Sequence, residues 1–126
     1  MKKLLLFTFV ITFFTNPAFA KDNLKYFMVL GKLKPEIAKT LVQNPADPTE
    51  SAKKSIESIP GARLIDYYLE AGTAQNVAII ALPDTGYASA LVYQRMSTGA
   101  LIDIQVREII PAAKFKAVME LAKTLK

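Results

Sequence analysis

Asp66, Tyr68 and Glu70 recur at every second position of one strand-like segment, and Asp103, Gln105 and Arg107 do the same in another. In an extended strand, alternate side chains point to one face, so each trio is presented on a single surface. Facing an enclosed space, a carboxylate loses hydration, its pKa rises, and it can take a proton as a general base. Arg107 would hold an anionic substrate through its planar fork of donors. Tyr26 and Met28, two apart in a third such segment, would line the same space. Tyr26, Met28, Asp66, Tyr68, Glu70, Asp103, Gln105 and Arg107 thus form a candidate pocket for a small apolar or anionic ligand. The same alternation describes edge strands whose polar residues face water, or ion pairs at a dimer seam.

Composition narrows the chemistry. The chain has 126 residues and no Cys, His or Trp. Without Cys there is no disulfide, thiol nucleophile or Cys-ligated zinc. Without His there is no Ser-His-Asp triad, His-ligated haem or imidazole acid–base step. The acids are dispersed, with no EF-hand spacing, and the glycines form no phosphate-binding loop. No cofactor or metal is therefore expected. The formal net charge is +5, but the lysines are scattered. Nucleic-acid binding calls for a clustered basic face with interleaved aromatics, so it is not expected either.

The first 20 residues carry a separate message. Lys2 and Lys3 precede an apolar run from Leu4 to Phe14, broken only by Thr8 and Thr12. Thr15, Asn16 and Pro17 interrupt it, and Ala18-Phe19-Ala20 follows. These are the three parts of a secretory signal peptide, with cleavage expected after Ala20. The run is too short for a membrane-spanning helix, which needs about 20 residues. No cysteine follows to take a lipid anchor. The reading is a 1–20 leader and a single domain over 21–126, exported to the periplasm or secreted, with no transmembrane segment in the mature chain.

The elements that must position the candidate residues follow from apolar spacing. Leu24 to Leu33 is short, apolar and rich in strand formers. Pro35 opens a helix with Ile37, Leu41 and Val42, interrupted at Asn44-Pro45. Asp47, Pro48 and Glu50 carry helix-start signals, and Ala52, Ile56 and Ile59 make one stripe ended by Pro60-Gly61. Ala62 to Glu70 is a second strand, with Leu64, Asp66, Tyr68 and Glu70 on one face and Arg63, Ile65, Tyr67 and Leu69 on the other. Gly72 to Asn76 is a hairpin connection. Val77 to Leu82 is apolar on both faces, which predicts a central strand. Asp84 caps a helix running through Met96, with Ala88, Leu91, Val92 and Arg95 inward, and Gly99 ends it. Ala100 to Ile109 is a fourth strand, with Ile102, Ile104 and Val106 opposite Asp103, Gln105 and Arg107. Beyond Pro111 a last helix carries Phe115, Val118, Met119, Ala122 and Leu125 on one stripe.

This order predicts an α+β, ferredoxin-like βαββαβ fold: a four-stranded antiparallel sheet, helices on one face, plus a C-terminal helix. The first and third strands are central. The second sheet face then needs a cover, either the last helix or a second copy of the chain.

Tyr26-Phe27-Met28-Val29-Leu30, the interrupted helix, Gly61 into Tyr67-Tyr68-Leu69, Gly72, the apolar strand ending Leu82-Pro83-Asp84, and Val106-Arg107-Glu108 resemble a GYD domain. The resemblance runs from Leu24 to Ile110. It implies the fold of the dimeric α/β-barrel superfamily and a homodimer through the open sheet face, with no assigned reaction. The chain departs from the Gly-Tyr-Asp stretch that names the family, because Ala74 and Gln75 follow Gly72-Thr73. A role that needs that Tyr or Asp does not carry over. The leading reading is a dimeric binding or structural protein holding a small ligand in the barrel. The alternatives are a cofactor-free monooxygenase or isomerase of the superfamily, and an interaction module of an envelope complex.

Overall fold

A computed structural model describes residues 23–125. The expected leader lies outside them. The elements are β1 (Lys25–Leu33), α1 (Pro35–Gln43), α2 (Thr49–Glu57), β2 (Arg63–Glu70), β3 (Gln75–Leu82), α3 (Thr85–Thr98), β4 (Leu101–Ile109) and α4 (Phe115–Ala122). A short 3₁₀ turn over Ala112–Lys114 leads into α4.

The strands form one antiparallel sheet in the order β2-β3-β1-β4. This is the split βαβ arrangement, with α1 and α2 as two pieces of one broken helix. Asn44 and Pro45 make the break, as proline chemistry requires. Asp47 accepts a bond from the Thr49 amide (2.9 Å), tying down a free donor at the start of α2. The Thr49 side chain first, and this amide second, hold the Asp47 carboxyl below its ordinary pKa by hydrogen bonding to its charged form. At α3, the Asp84 carboxylate accepts from the Tyr87 amide, and Gly99 closes the helix in the left-handed conformation.

The core lies between the sheet and α2 and α3. Phe27 of β1 and Ala78, Ile80 and Leu82 of β3 meet Ile56 of α2 and Ala88 and Leu91 of α3. Val29, Leu64, Tyr67 and Val106 pack around them. Burial lifts the Tyr67 pKa above the ordinary tyrosine value, because the phenolate is poorly solvated there. Below the unfolded-state pKa of about 10, both states are neutral and stability is unaffected by this group. Above it the unfolded chain loses a proton that the folded chain keeps, so stability falls as pH rises towards the folded pKa. Tyr67→Phe should flatten part of this alkaline loss. Urea midpoints measured between about pH 9 and 11 would show no difference in slope if the phenol played no part.

Two strands depart from strict alternation. In β2, Leu64 faces Ile80 while Asp66 faces Ile79, so Ile65 is an extra bulged residue. Leu64 therefore shares the helix side with Tyr67, not the face of Asp66. Arg63 moves the other way and joins Asp66. In β4, Gln105 faces Leu30 while Ile102 faces Lys32, a second irregularity. Asp103 sits within it at a left-handed φ of 52°. Ile102 therefore joins Gln105 and Arg107, while Ile104 and Val106 face the helices.

The β2–β3 turn holds Ala74 at φ 53°, a conformation that crowds any Cβ, whereas Gly72 has no such φ. The glycine is one position where the backbone does not need it. Ala74→Gly should stabilise the fold by roughly 0.5–1 kcal/mol after the extra freedom of the unfolded glycine is counted. A thermal melt should rise by a few degrees; an unchanged or lowered midpoint contradicts the strained turn.

Candidate functional site

The strand registers turn the open sheet face into a grid of four rows. The first row is Arg63, Ala81, Tyr26 and Ile109. The second is Asp66, Ile79, Met28 and Arg107. The third is Tyr68, Val77, Leu30 and Gln105. The fourth is Glu70, Gln75, Lys32 and Ile102. Residues directly opposite across antiparallel strands share a face, so these sixteen positions form one surface.

Seven of the eight candidate pocket residues lie in this grid: Tyr26, Met28, Asp66, Tyr68, Glu70, Gln105 and Arg107. The eighth, Asp103, does not alternate with Gln105. Its bulged, left-handed backbone takes it out of the row pattern, and its carboxylate lies 3.5 Å from the Lys32 ammonium. Both groups are exposed, so that pair contributes little stability. Asp and Asn tolerate this backbone region better than other non-glycine residues, which gives Asp103 a conformational role in the turn of the strand.

The grid has an apolar centre. Val77 and Ile79 of β3 and Met28 and Leu30 of β1 are half-buried. The edges are polar and open. Asp66 and Glu70 are exposed on β2, and Tyr68 is 57 % exposed. On β4, Arg107 donates to the Gln105 side-chain oxygen at 2.9 Å. Asp66 and Arg107 stand at opposite ends of one row. Three strand spacings put them about 14 Å apart, so they do not pair within one chain. In this single chain Asp66 and Glu70 meet water. An enclosure that desolvates them must come from outside the sheet.

Helix α4 does not provide that enclosure. It packs chiefly against the 3₁₀ turn that precedes it. None of its residues is buried, and Phe115, Leu121 and Leu125 are mostly exposed. The amphipathic stripe is present as its spacing predicts, but the stripe stays in solvent.

The helix side holds a feature that sequence alternation missed. A cleft of about 400 Å³ opens between α3 and β4, floored by Phe27, Val92, Ile104 and Val106. Glu108 and Thr85 stand at its margin, and the Lys25 ammonium reaches both, at 3.8 Å and 3.1 Å. The adjacent Ala88 and Ser89 of α3 are the available sequence signal, since small side chains leave room above an edge strand.

Among the described residues, no three acidic side chains gather closely enough to hold a metal ion. No described helix is long and apolar enough to cross a membrane. Compared with models of known protein families, with curated proteins and with solved structures, the chain matches none.

Proposed function

We propose that this is an exported, GYD-like binding protein that pairs with a second copy through its open sheet face and holds a small apolar or anionic ligand there. The observation that carries the reading is the grid: a half-buried apolar centre with polar edges and no covering element among the described residues. Leaving such a surface in water costs about 25 cal/mol for each Å² of apolar area exposed. Two sheets face to face pack about 10 Å apart, with their inner side chains forming the contact layer. Met28, Leu30, Val77 and Ile79 would contribute apolar walls. Tyr68, Gln105 and Arg107 would supply donors for an anionic or polar group.

The βαββαβ order agrees with the GYD resemblance, and the composition of the first 20 residues supports export. An acid–base reaction remains the second reading, because Asp66 and Arg107 share a row with only Ile79 and Met28 between them. Enclosure by a second copy would take that row out of water.

Native mass spectrometry of the purified protein tests the proposal. The expected species is two chains carrying a small non-protein mass. A bare single chain contradicts it. A stable complex with a different protein would assign the sheet face to a heterologous partner instead.

A further inference from the structure

We infer that the two-fold axis of the pair runs perpendicular to the strands, so that Arg63 of each copy meets Glu70 of the other; this rests on the sheet-to-sheet pairing proposed above. Two sheets meeting face to face about a two-fold have two limiting arrangements. An axis along the strands lays each row over the same row of the partner, read backwards. An axis across the strands lays each strand over itself, with the row order reversed.

The grid discriminates between them. With the axis along the strands, Arg63 falls on the partner's Ile109 and Glu70 on the partner's Ile102. Four charged side chains then face aliphatic ones, which costs hydration without returning a partner. The compensation is that Asp66 faces the partner's Arg107. With the axis across the strands, each Arg63 faces a Glu70 and each Ile102 faces an Ile109. Asp66 meets a tyrosine hydroxyl and Arg107 meets an amide, both able to bond. The central aliphatics still cover one another. Every corner of the grid is then matched in kind, and the opposite charges fix the register.

Neither charge pair can form within one chain. Arg63 and Glu70 end the same strand, roughly 20 Å apart at about 3.3 Å per residue. Asp66 and Arg107 are separated by the width of the sheet. Both distances exceed the Debye length of about 8 Å at physiological salt. Any coupling between the members of a pair therefore reports contact between copies.

The experiment is a charge-swap series on the purified protein, read as dimer dissociation constants by sedimentation. Arg63→Glu and Glu70→Arg should each weaken the dimer about tenfold, since each substitution acts twice in a symmetric interface. The double variant should return to within about threefold of the parent. Both side chains are exposed, so the fold should survive, and a thermal melt checks this. Rescue by Asp66→Arg with Arg107→Asp, and none by the first pair, overturns the perpendicular axis and leaves the dimer standing. Single variants with no effect also overturn it. A parent chain that stays monomeric removes the underlying pairing itself. A second readout is independent of charge. The chain has no cysteine, so an Ile102→Cys, Ile109→Cys double variant should be joined into a covalent dimer by a short bismaleimide that spans facing positions on sheets about 10 Å apart. Failure to cross-link while the parent dimerises overturns the axis.

Discussion

Ile80→Ala should lower the unfolding free energy by about 2–5 kcal/mol and the melting temperature by more than ten degrees. Ile80 has no exposed surface and sits mid-strand in β3, facing α2 and α3. Its neighbours include Phe27 and Leu82, each also buried from solvent. Truncation removes most of the side chain and leaves a cavity that these packed neighbours can close only in part. The loss should not depend on protein concentration once it is measured on the monomer. Chemical denaturation, followed by far-ultraviolet circular dichroism, checks it. A loss below about 1 kcal/mol would mean the sheet and helices are not packed as described.

Ile79→Lys, one residue away, should behave in the opposite manner. Ile79 points to the open face, in the row that joins Asp66 to Arg107. In an isolated chain a lysine there reaches water and disturbs the fold little. In a pair of chains the substitution appears twice in the covered centre. Each copy loses an aliphatic contact and introduces an ammonium that must be desolvated or must push the sheets apart. With about 2 kcal/mol for each copy, dimer affinity should fall at least about a thousandfold, and ligand retention should vanish with it. Sedimentation velocity beside a thermal melt separates the two effects. A variant that dimerises as tightly as the parent would place the contact elsewhere on the molecule. A variant that unfolds would show that this face is already buried within one chain.

The contrast between these neighbours shows which features were legible before the structure. Their opposite orientation follows from strand geometry, and the apolar character of both follows from composition. Together they predicted a central strand, and β3 lies between β2 and β1. The helix boundaries were similarly legible at Pro35, Asn44-Pro45, Asp84 and Gly99, because proline, carboxylate caps and glycine act locally. The two bulges were not. Strict alternation placed Leu64 with Asp66 and set Ile102 opposite Gln105, and both assignments fail. A bulge is a property of two strands in register, and the partner strand is not visible in local spacing. The hint was the spacing itself: Leu64 and Tyr67 are three apart, and Leu101-Ile102 is an adjacent aliphatic pair.

The amphipathic stripes of α1 and α4 show a second limit. The spacing of Ile37, Leu41 and Val42 gives a helix, and that of Phe115, Val118 and Met119 gives another. Neither helix buries a residue. Periodicity reports that a face gains by being covered; it does not report that the same chain covers it. The candidate site was legible for the same reason that its cover was not. Tyr26, Met28, Asp66, Tyr68, Glu70, Gln105 and Arg107 share a face through local geometry, whereas a second wall of the space is no property of that local geometry.

Sedimentation equilibrium of the purified protein, across a micromolar concentration range, is the most direct test. Two chains in one particle, dissociating only on dilution, is the result expected of a sheet face covered by a second copy. A single-chain mass at every concentration, with the Ile79→Lys variant indistinguishable from the parent, would contradict it.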